Sequence, residues 1–143
     1  MRAVICGTGS AVPDKVLDNE ELSQMVETND EWIRERTGIA QRHIAKEDTC
    51  VSLAVKAAKS ALEQAEIPAE DIDLLIVSTI SSNVVLPCTA CEVQKEIGAV
   101  HAVAYDLSAA CTGFVMAYQS AQSFLQSGIY RTALIIGSEC LSH

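Results

Sequence analysis

The sequence predicts a layered α/β domain whose sheet is largely parallel. Strand-like and helix-like segments alternate along most of the 143 residues. The run at residues 74–79 opens with four consecutive large apolar residues and contains no charge, which is typical of a parallel strand buried on both faces. Hydrophobic residues make up 49% of the chain, whereas aromatic residues make up only 4%. Small aliphatic side chains in this proportion suit helices packed closely on a sheet, and the length suits about one core.

The predicted elements follow one another along the whole chain. The first strand is at residues 3–5 and ends at a glycine-containing turn at residues 7–10. Asp18 and Glu21 have the spacing of a capping box for a short helix. A second short helix follows, and then an extended arm, a long helix capped by Asp48 or Thr49, three strands and two further helices. The predicted ranges of these later elements, from the arm onwards, are 39–44, 49–65, 74–79, 87–98, 102–107, 111–126 and 132–137.

The second short helix is predicted between Thr28 and Gly38. Thr28 and Glu31 have capping-box spacing, and Gly38 suits a left-handed C-cap. Thr28, Trp32 and Arg36 recur at intervals of four, so they share one face of this helix. An aromatic surface beside a guanidinium suits an adenine ring next to phosphate. The alternative is that Trp32 packs in the core and the neighbouring arginines lie on a solvated face.

The charge of the chain argues against several classes of partner. The net charge is −9 at pH 7, so nucleic acid and anionic membrane surfaces are not expected as partners. The apolar run near the N-terminus is too short for a signal peptide, and no run approaches the length of a membrane span. The sequence therefore favours a cytoplasmic protein.

The chain has six cysteines, but it is not small and loop-rich, so a disulfide framework is not expected. Cys88 and Cys91 form a C-x-x-C motif after Pro87. A zinc site needs two further ligands at motif spacing, which the sequence does not supply, so no metal site is predicted. Packing cysteines and a redox pair both remain open for this motif.

Cys111 stands where a predicted strand gives way to a predicted helix. Residues 102–107 are β-rich, small residues follow, and a long helical pattern begins at the cysteine. Unpaired N–H groups and the positive end of the helix dipole favour an anion at such a position. A thiolate is an anion, so the position favours a nucleophilic cysteine, and Ala109, Ala110 and Gly113 leave room for a substrate. A buried structural cysteine is the alternative, because free cysteine packs well as a small hydrophobe.

Three blocks of sequence stand out when they are taken together. The first is residues 7–10, Gly-Thr-Gly-Ser. The second is residues 29–39, which contains Asp-Glu-Trp-Ile and Arg-Thr-Gly-Ile and is followed by Arg42 and His43. The third is residues 106–114, which contains Ala-Cys-x-Gly-Phe. In order and spacing these blocks resemble the 3-oxoacyl-acyl-carrier-protein synthase III family, which starts type II fatty acid synthesis.

The resemblance implies a thiolase-like fold built of two similar halves. Residues 1–143 would form the N-terminal half, and the C-terminal half would be absent. Each half is expected to carry a five-stranded, mixed but mostly parallel sheet layered with helices.

The resemblance also implies roles for five residues. The cysteine matching Cys111 takes the acyl group from a short acyl-CoA, and the positions matching Thr28, Trp32 and Arg36 hold the adenine end of CoA. Leu86 stands at a position that is often aromatic and lines the acyl pocket of the partner subunit. Because leucine is smaller, a longer or branched primer is expected. CoA enters as a substrate, and no cofactor is implied.

The implied second substrate is malonyl-acyl carrier protein. Its decarboxylation needs a His and an Asn from the other half of the fold, and none of the three histidines here lies in the matching motif. The implied partners are acyl-CoA, the acyl carrier protein and a second copy of the chain. We expect a homodimer or a larger homo-oligomer, formed through the strand and helix around residues 102–126.

Two other interpretations stay open on the sequence alone. A related thiolase-fold synthase, of the alkylquinolone or hydroxymethylglutaryl type, would share the cysteine and differ in its pocket and second-half residues. A non-catalytic dimerisation module would instead use Cys88, Cys91 or Cys111 as redox-sensitive thiols.

Overall fold

The computed structural model describes residues 3–142, which contain five strands and five α-helices. The strands are β1 (Lys15–Asp18), β2 (Gln41–Ile44), β3 (Leu74–Ser78), β4 (Val103–Leu107) and β5 (Ala133–Gly137). The helices are α1 (Asn19–Ser23), α2 (Asp30–Thr37), α3 (Cys50–Ala65), α4 (Thr89–Ile97) and α5 (Gly113–Ser127). Within residues 3–142 no helix combines the length and the hydrophobicity that a membrane span requires. The chain forms two compact units, one of residues 3–11 and 49–141 and one of residues 12–48 with Ser142.

A three-stranded parallel sheet lies at the centre of the larger unit. β3 is the middle strand, between β4 and β5, and its residues are all buried, as the apolar run predicted. Successive side chains of β3 point to opposite faces of the sheet. Leu75 and Val77 belong to a core cluster with residues of α3 and α4, whereas Leu74 and Ile76 pack with Ala117 and Ala121 of α5. The predicted α/β layering, with helices on both faces of the sheet, is therefore confirmed.

The prediction of one five-stranded sheet is wrong for the described residues. β1 and β2 pair with each other in antiparallel fashion in the smaller unit, and residues 3–5 form no strand. The reason lies in how the N-terminal segment packs. A Cβ added at Gly7 or Gly9 would overlap the backbone carbonyl of Ala61 or Ala57, so this segment lies directly against α3. Its backbone forms no ladder with β5, which has β3 as its one strand partner among the described residues.

The helix ends of the larger unit agree with the sequence signals. Thr49 caps α3 reciprocally: its hydroxyl accepts from the Ser52 N–H at 3.0 Å, and the Ser52 hydroxyl accepts from the Thr49 N–H at 2.9 Å. Gly98 and Gly128 end α4 and α5 in the left-handed conformation, with φ values of 81° and 77°. Glycine adopts these angles without the steric cost that a Cβ brings.

The smaller unit is built around the buried side chain of Asn19. Its amide nitrogen donates to Asp30 Oδ1 and to the Ile39 carbonyl, both at 2.8 Å. Its amide oxygen accepts from Arg42 Nη2 at 2.6 Å, and Arg42 Nη1 donates to the Leu17 carbonyl at 3.1 Å. The Asn19 amide therefore connects α1 to α2 and β2 by hydrogen bonds, and Arg42 extends the network to β1. This unit holds α2, which carries the predicted site residues Trp32 and Arg36.

The network makes the stability of the smaller unit depend on pH. The Asn19 amide first, and then the Arg34 guanidinium, hold the pKa of Asp30 below its ordinary value. A lowered folded-state pKa stabilises the fold at pH values above the unfolded-state pKa, and this contribution is lost as pH falls through the folded-state pKa. We expect Asp30→Asn to be less stable than the wild type near neutral pH, with a difference that shrinks in acid. Thermal unfolding of both proteins at several pH values between neutral and acidic measures this difference in stability.

Glu35→Gln removes a carboxylate from the same helix and is the matched control, since Glu35 has no part in the Asn19 network. A stability difference for Asp30→Asn that stays constant with pH would contradict the role of the ionised carboxylate.

Candidate functional site

Cys111 lies in a short 3-10 turn that joins β4 to α5. The turn is Ala110–Thr112, and α5 begins directly after it at Gly113. The backbone N–H and the hydroxyl of Thr112 both donate to the Ala109 carbonyl, at 3.2 and 2.9 Å. Cys111 is exposed. The predicted position at the start of a helix is confirmed to within two residues, and a buried structural cysteine does not fit this environment.

The residue before Cys111 has an unusual backbone conformation. Ala110 has a φ of 45°, in the left-handed region that residues with a Cβ rarely adopt. Such conformations cost about 1–3 kcal/mol and are concentrated at functional sites. The strained residue lies between β4 and α5, directly before Cys111, whose side chain is exposed. Apart from the small size of the residue, nothing in the sequence predicted this backbone angle.

The first turn of α5 rests on the ends of two strands. Parallel strands end at a common edge of the sheet, so the segments after β3, β4 and β5 all leave from the edge where Cys111 lies. A Cβ added at Gly113 would overlap the hydroxyl of Ser78, the last residue of β3. A Cβ added at Gly137, the last residue of β5, would lie 3.3 Å from the Phe114 ring. Small residues at these positions let the helix that follows Cys111 sit directly on the sheet.

Glu139 ties together two of the segments at this edge. Its carboxylate accepts from the Ile80 N–H at 3.0 Å and from the Ser81 hydroxyl, and the Ser81 oxygen accepts from the Cys140 N–H at 2.9 Å. The segments after β3 and β5 are thereby fixed relative to each other. Sequence reasoning missed Glu139, for which the one available signal is an acidic residue directly after a predicted strand.

Trp32 and Arg36 form one stacked pair on α2. The Arg36 guanidinium carbon lies 4.5 Å from the centroid of the Trp32 ring, a cation–π distance. Trp32 is 51% exposed, so the alternative of a core tryptophan is wrong. The other arginines of this region are engaged elsewhere: Arg34 Nε donates to both carboxylate oxygens of Asp30 at 2.7 and 2.8 Å, and Arg42 binds Asn19. The predicted aromatic surface beside a guanidinium is present.

Thr28 does not cap α2 as predicted. The N-cap is Asn29, whose side-chain oxygen accepts from the Trp32 N–H at 2.8 Å. Asparagine and threonine are both good N-caps, so the sequence pattern did not separate two neighbouring candidates. The Thr28 hydroxyl is buried and has no hydrogen-bond partner among residues 3–142. Thr28 therefore precedes the helix and does not share the face of Trp32 and Arg36 as a helical residue.

Leu86 lies in the irregular segment between β3 and α4. It is 88% exposed, and its neighbours Val84 and Val85 are exposed as well. Cys111 and Leu86 belong to the larger unit, whereas Thr28, Trp32 and Arg36 belong to the smaller one.

A cavity in the larger unit has a volume of about 790 Å³. It lies between α3, α5, β5 and the N-terminal segment, and Phe114 lines it whereas Cys111 does not. Within residues 3–142 no group of three or more Cys, His, Asp or Glu side chains is arranged to hold a metal ion.

Comparison with protein families matches the part of the chain that holds the cysteine. Residues 105–143 match the family described as 3-oxoacyl-[acyl-carrier-protein (ACP)] synthase III. The matched range contains Cys111, its strained neighbour Ala110 and Glu139.

Curated relatives match nearly the whole chain. A beta-ketoacyl-[acyl-carrier-protein] synthase III from Desulfitobacterium hafniense strain Y51 is 54% identical over 139 residues, which are 96% of this chain and 42% of that protein. A beta-ketoacyl-[acyl-carrier-protein] synthase III 1 from Bacillus cereus is 50% identical over 143 residues, which are 99% of this chain and 46% of that protein. The chain thus spans less than half the length of these curated relatives.

Solved structures share the fold. The 3-oxoacyl-[acyl-carrier-protein] synthase III of Aquifex aeolicus VF5 superposes with a TM-score of 0.94 at 46% identity, over 96% of this chain and 45% of that one. The priming beta-ketosynthase of the R1128 polyketide biosynthetic pathway superposes with a TM-score of 0.90 at 36% identity, over 93% and 40% of the two chains. The thiolase-like α/β fold that the sequence implied is therefore confirmed.

Proposed function

We propose, from the premise that this chain belongs to the 3-oxoacyl-acyl-carrier-protein synthase III family, that it supplies the acyl-accepting cysteine of an initiating condensing enzyme of type II fatty acid synthesis. The observation that carries the proposal is the exposed Cys111 in the connection between β4 and α5, two residues before the helix begins. Relatives named for this activity reach 54% identity, whereas the polyketide priming enzyme reaches 36%. The difference favours fatty acid initiation over another thiolase-fold synthase.

In the proposed first step, Cys111 accepts an acyl group by thioester exchange. Its thiolate attacks the thioester carbonyl carbon of acyl-CoA, a new C–S bond forms to Cys111, and the bond to the CoA sulfur breaks as CoA leaves as a thiolate. Backbone N–H groups near the start of α5, including that of Cys111 in the preceding turn, stabilise the oxyanion formed on the way. The thioester already activates the carbonyl, so this step needs no separate cofactor. CoA serves only as the carrier of the acyl group.

In the proposed second step, malonyl-acyl carrier protein loses carbon dioxide, and the resulting carbanion attacks the carbonyl carbon of the acyl group on Cys111. A carbon–carbon bond forms, the C–S bond to Cys111 breaks, and the Cys111 thiolate is released. The His and Asn that the resemblance assigns to this step lie outside the present chain. The acyl carrier protein is therefore a proposed partner of the whole enzyme. A second copy of the chain is also proposed as a partner, through the region of β4 and α5.

The stacked pair on α2 is the proposed site for the adenine end of CoA. One face of the Trp32 indole carries the Arg36 guanidinium, and the half-exposed ring leaves surface on which a base can stack. The arginine adds a positive charge beside this surface for phosphate. The role of Thr28 in the same site is proposed on the resemblance alone, because its hydroxyl is buried.

Trp32→Ala should weaken the binding of acyl-CoA about ten-fold, because stacking of a base on an aromatic side chain contributes about 1–3 kcal/mol. The dependence of the acylation rate on acyl-CoA concentration measures this as a raised KM with little change in kcat. Arg34→Ala is the matched control, since Arg34 lies on the same helix but pairs with Asp30. Equal effects of the two substitutions would contradict stacking on Trp32.

The choice of primer is proposed to depend on Leu86. Leu86→Phe in the full-length enzyme should shift priming towards acetyl-CoA, lowering the preference for isobutyryl-CoA over acetyl-CoA about ten-fold, because a larger side chain shortens the pocket. Val85→Phe is the matched control in the same exposed segment, where Val85 is 92% exposed. An unchanged preference for isobutyryl-CoA over acetyl-CoA in Leu86→Phe would contradict the assignment of this residue to the acyl pocket.

Intact-mass analysis after incubation with acetyl-CoA tests the proposed function as a whole. An acetyl group that maps to Cys111 supports the acyltransferase. Disulfide or sulfenic products on Cys111, with no acetyl group, would instead favour the non-catalytic module with redox-sensitive thiols.

A further inference from the structure

Two thiols outside the proposed acyl site lie in contact with each other. Cys88 is the N-cap of α4, Cys91 is in the first turn of the same helix, and their sulfur atoms are 3.4 Å apart. An N-cap side chain reaches towards the third residue of its helix, which is why cysteines at this spacing meet. The hydrogen bond with the Cys88 thiol, followed by partial burial, raises the pKa of Cys91. The Cys88 sulfur is thus close enough to affect the ionisation of Cys91.

A groove leads to this pair. It has a volume of about 530 Å³, within the usual range for small-molecule sites, and it lies between α3 and α4. Cys91 lines the groove together with Pro87, Val55 and Lys95. Both thiols are half-buried and neither is in a disulfide. A small molecule that enters the groove therefore meets one sulfur of the pair.

We propose that Cys88 and Cys91 are a redox-active dithiol that exchanges with low-molecular-weight disulfides entering this groove. One cysteine thiolate attacks a sulfur of the small disulfide, which forms a mixed disulfide and releases one small thiol. The other cysteine then attacks the protein sulfur of the mixed disulfide, which closes the Cys88–Cys91 bond and releases the second small thiol. The cysteines lose two electrons and the small disulfide gains them. The two cysteine protons end on the two released thiols.

Hydrogen bonds hold the backbone beside the pair at the start of α4. The carboxylate of Asp106 accepts from the backbone N–H groups of Thr89 and Ala90 at 2.9 and 2.7 Å, which anchors the start of α4. A sulfur–sulfur bond of about 2.05 Å requires the two sulfurs to approach from their present contact distance. The closed bond would tie the first turn of α4 to the end of the segment that carries Leu86. The site therefore couples thiol redox state to the mobility of that segment.

The test uses oxidised glutathione as the probe. The protein is incubated with mixtures of oxidised and reduced glutathione, free thiols are blocked, disulfides are reduced and relabelled, and each cysteine is mapped by mass spectrometry. We expect Cys88 and Cys91 to be protected together, as a species lighter by two hydrogens. This closed species should exceed the glutathione adducts on the pair by at least about 100-fold, because a thiol held in contact has a very high effective concentration. Persistent adducts on the pair, or oxidation confined to other cysteines, would overturn the proposal.

Two single variants give independent readouts. Cys88→Ser removes one thiol, so we expect a lasting glutathione adduct on Cys91, and Cys91→Ser provides the reciprocal test should the first variant fold poorly. Cys6→Ser removes an exposed cysteine elsewhere and should leave closure of the pair unchanged.

Limited proteolysis between residues 81 and 87 should be several-fold slower in the closed form, and equal rates would overturn the coupling to this segment.

Discussion

Replacing Cys111 with alanine should abolish transfer of an acetyl group from acetyl-CoA to the protein. The proposed reaction has one covalent acceptor, so removal of its sulfur leaves no atom to which the acyl group can be attached. We expect a loss of at least about 10³-fold, the scale seen when a covalent nucleophile is removed. The measurements are the rate of CoA thiol release and the intact mass of the protein after incubation with acetyl-CoA.

Cys6→Ser is the matched control for this prediction. Cys6 and Cys111 are both exposed, but only Cys111 lies at the start of a helix that packs on the carboxyl edge of the parallel sheet. The Cys6 variant should keep full acetylation. Acetylation that moves to Cys6 in the Cys111 variant at an undiminished rate would mean that exposure alone decides reactivity, and it would contradict the proposed site.

Leu75→Ala should lower the free energy of unfolding by about 2–5 kcal/mol, the range for truncating a fully buried leucine. Leu75 is the second residue of β3, has 0% exposure and belongs to the cluster packed between the sheet and α3 and α4. The substitution removes apolar surface from the core and leaves a cavity that the neighbouring strands cannot close. Urea unfolding gives this difference in free energy from the shift of the transition midpoint, when the two proteins have the same m-value.

Leu86→Ala makes the same chemical change at an exposed position and is the control. Leu86 is 88% exposed, so we expect its truncation to alter the free energy of unfolding by no more than about 0.5 kcal/mol. A comparable loss in both variants would show that the buried Leu75 side chain contributes no more to stability than a surface side chain. That result would contradict the packing of β3 against α3 and α4.

The elements that the sequence predicted well are those whose signals are local. The apolar run became the central strand β3, the Thr49 cap and the glycines at 98 and 128 set helix ends, and the alternation of elements became a layered α/β unit. Each of these signals acts through neighbouring residues in the chain, by burial on both faces, by a side-chain cap or by a left-handed backbone angle.

The prediction was less accurate where the outcome depends on distant partners. Residues 3–5 have the composition of a strand, but the glycines that follow let the backbone lie against α3, and no ladder with β5 forms. The choice between Thr28 and Asn29 as the cap of α2 was decided by which side chain met the Trp32 N–H. Composition cannot distinguish such cases because the competing partners lie outside the local pattern.

For the candidate site, the sequence by itself determined that a cysteine stands between a strand and a helix and that Trp32 and Arg36 are four residues apart in a helical segment. Both follow from periodicity and spacing, which are properties of the chain alone. The tertiary structure decided that Cys111 is exposed after a strained Ala110, that Glu139 joins the segments after β3 and β5, and that Cys88 meets Cys91 beside a groove. Exposure, strain and the volume of a groove depend on which distant segments pack together, so they are fixed only when the whole chain folds.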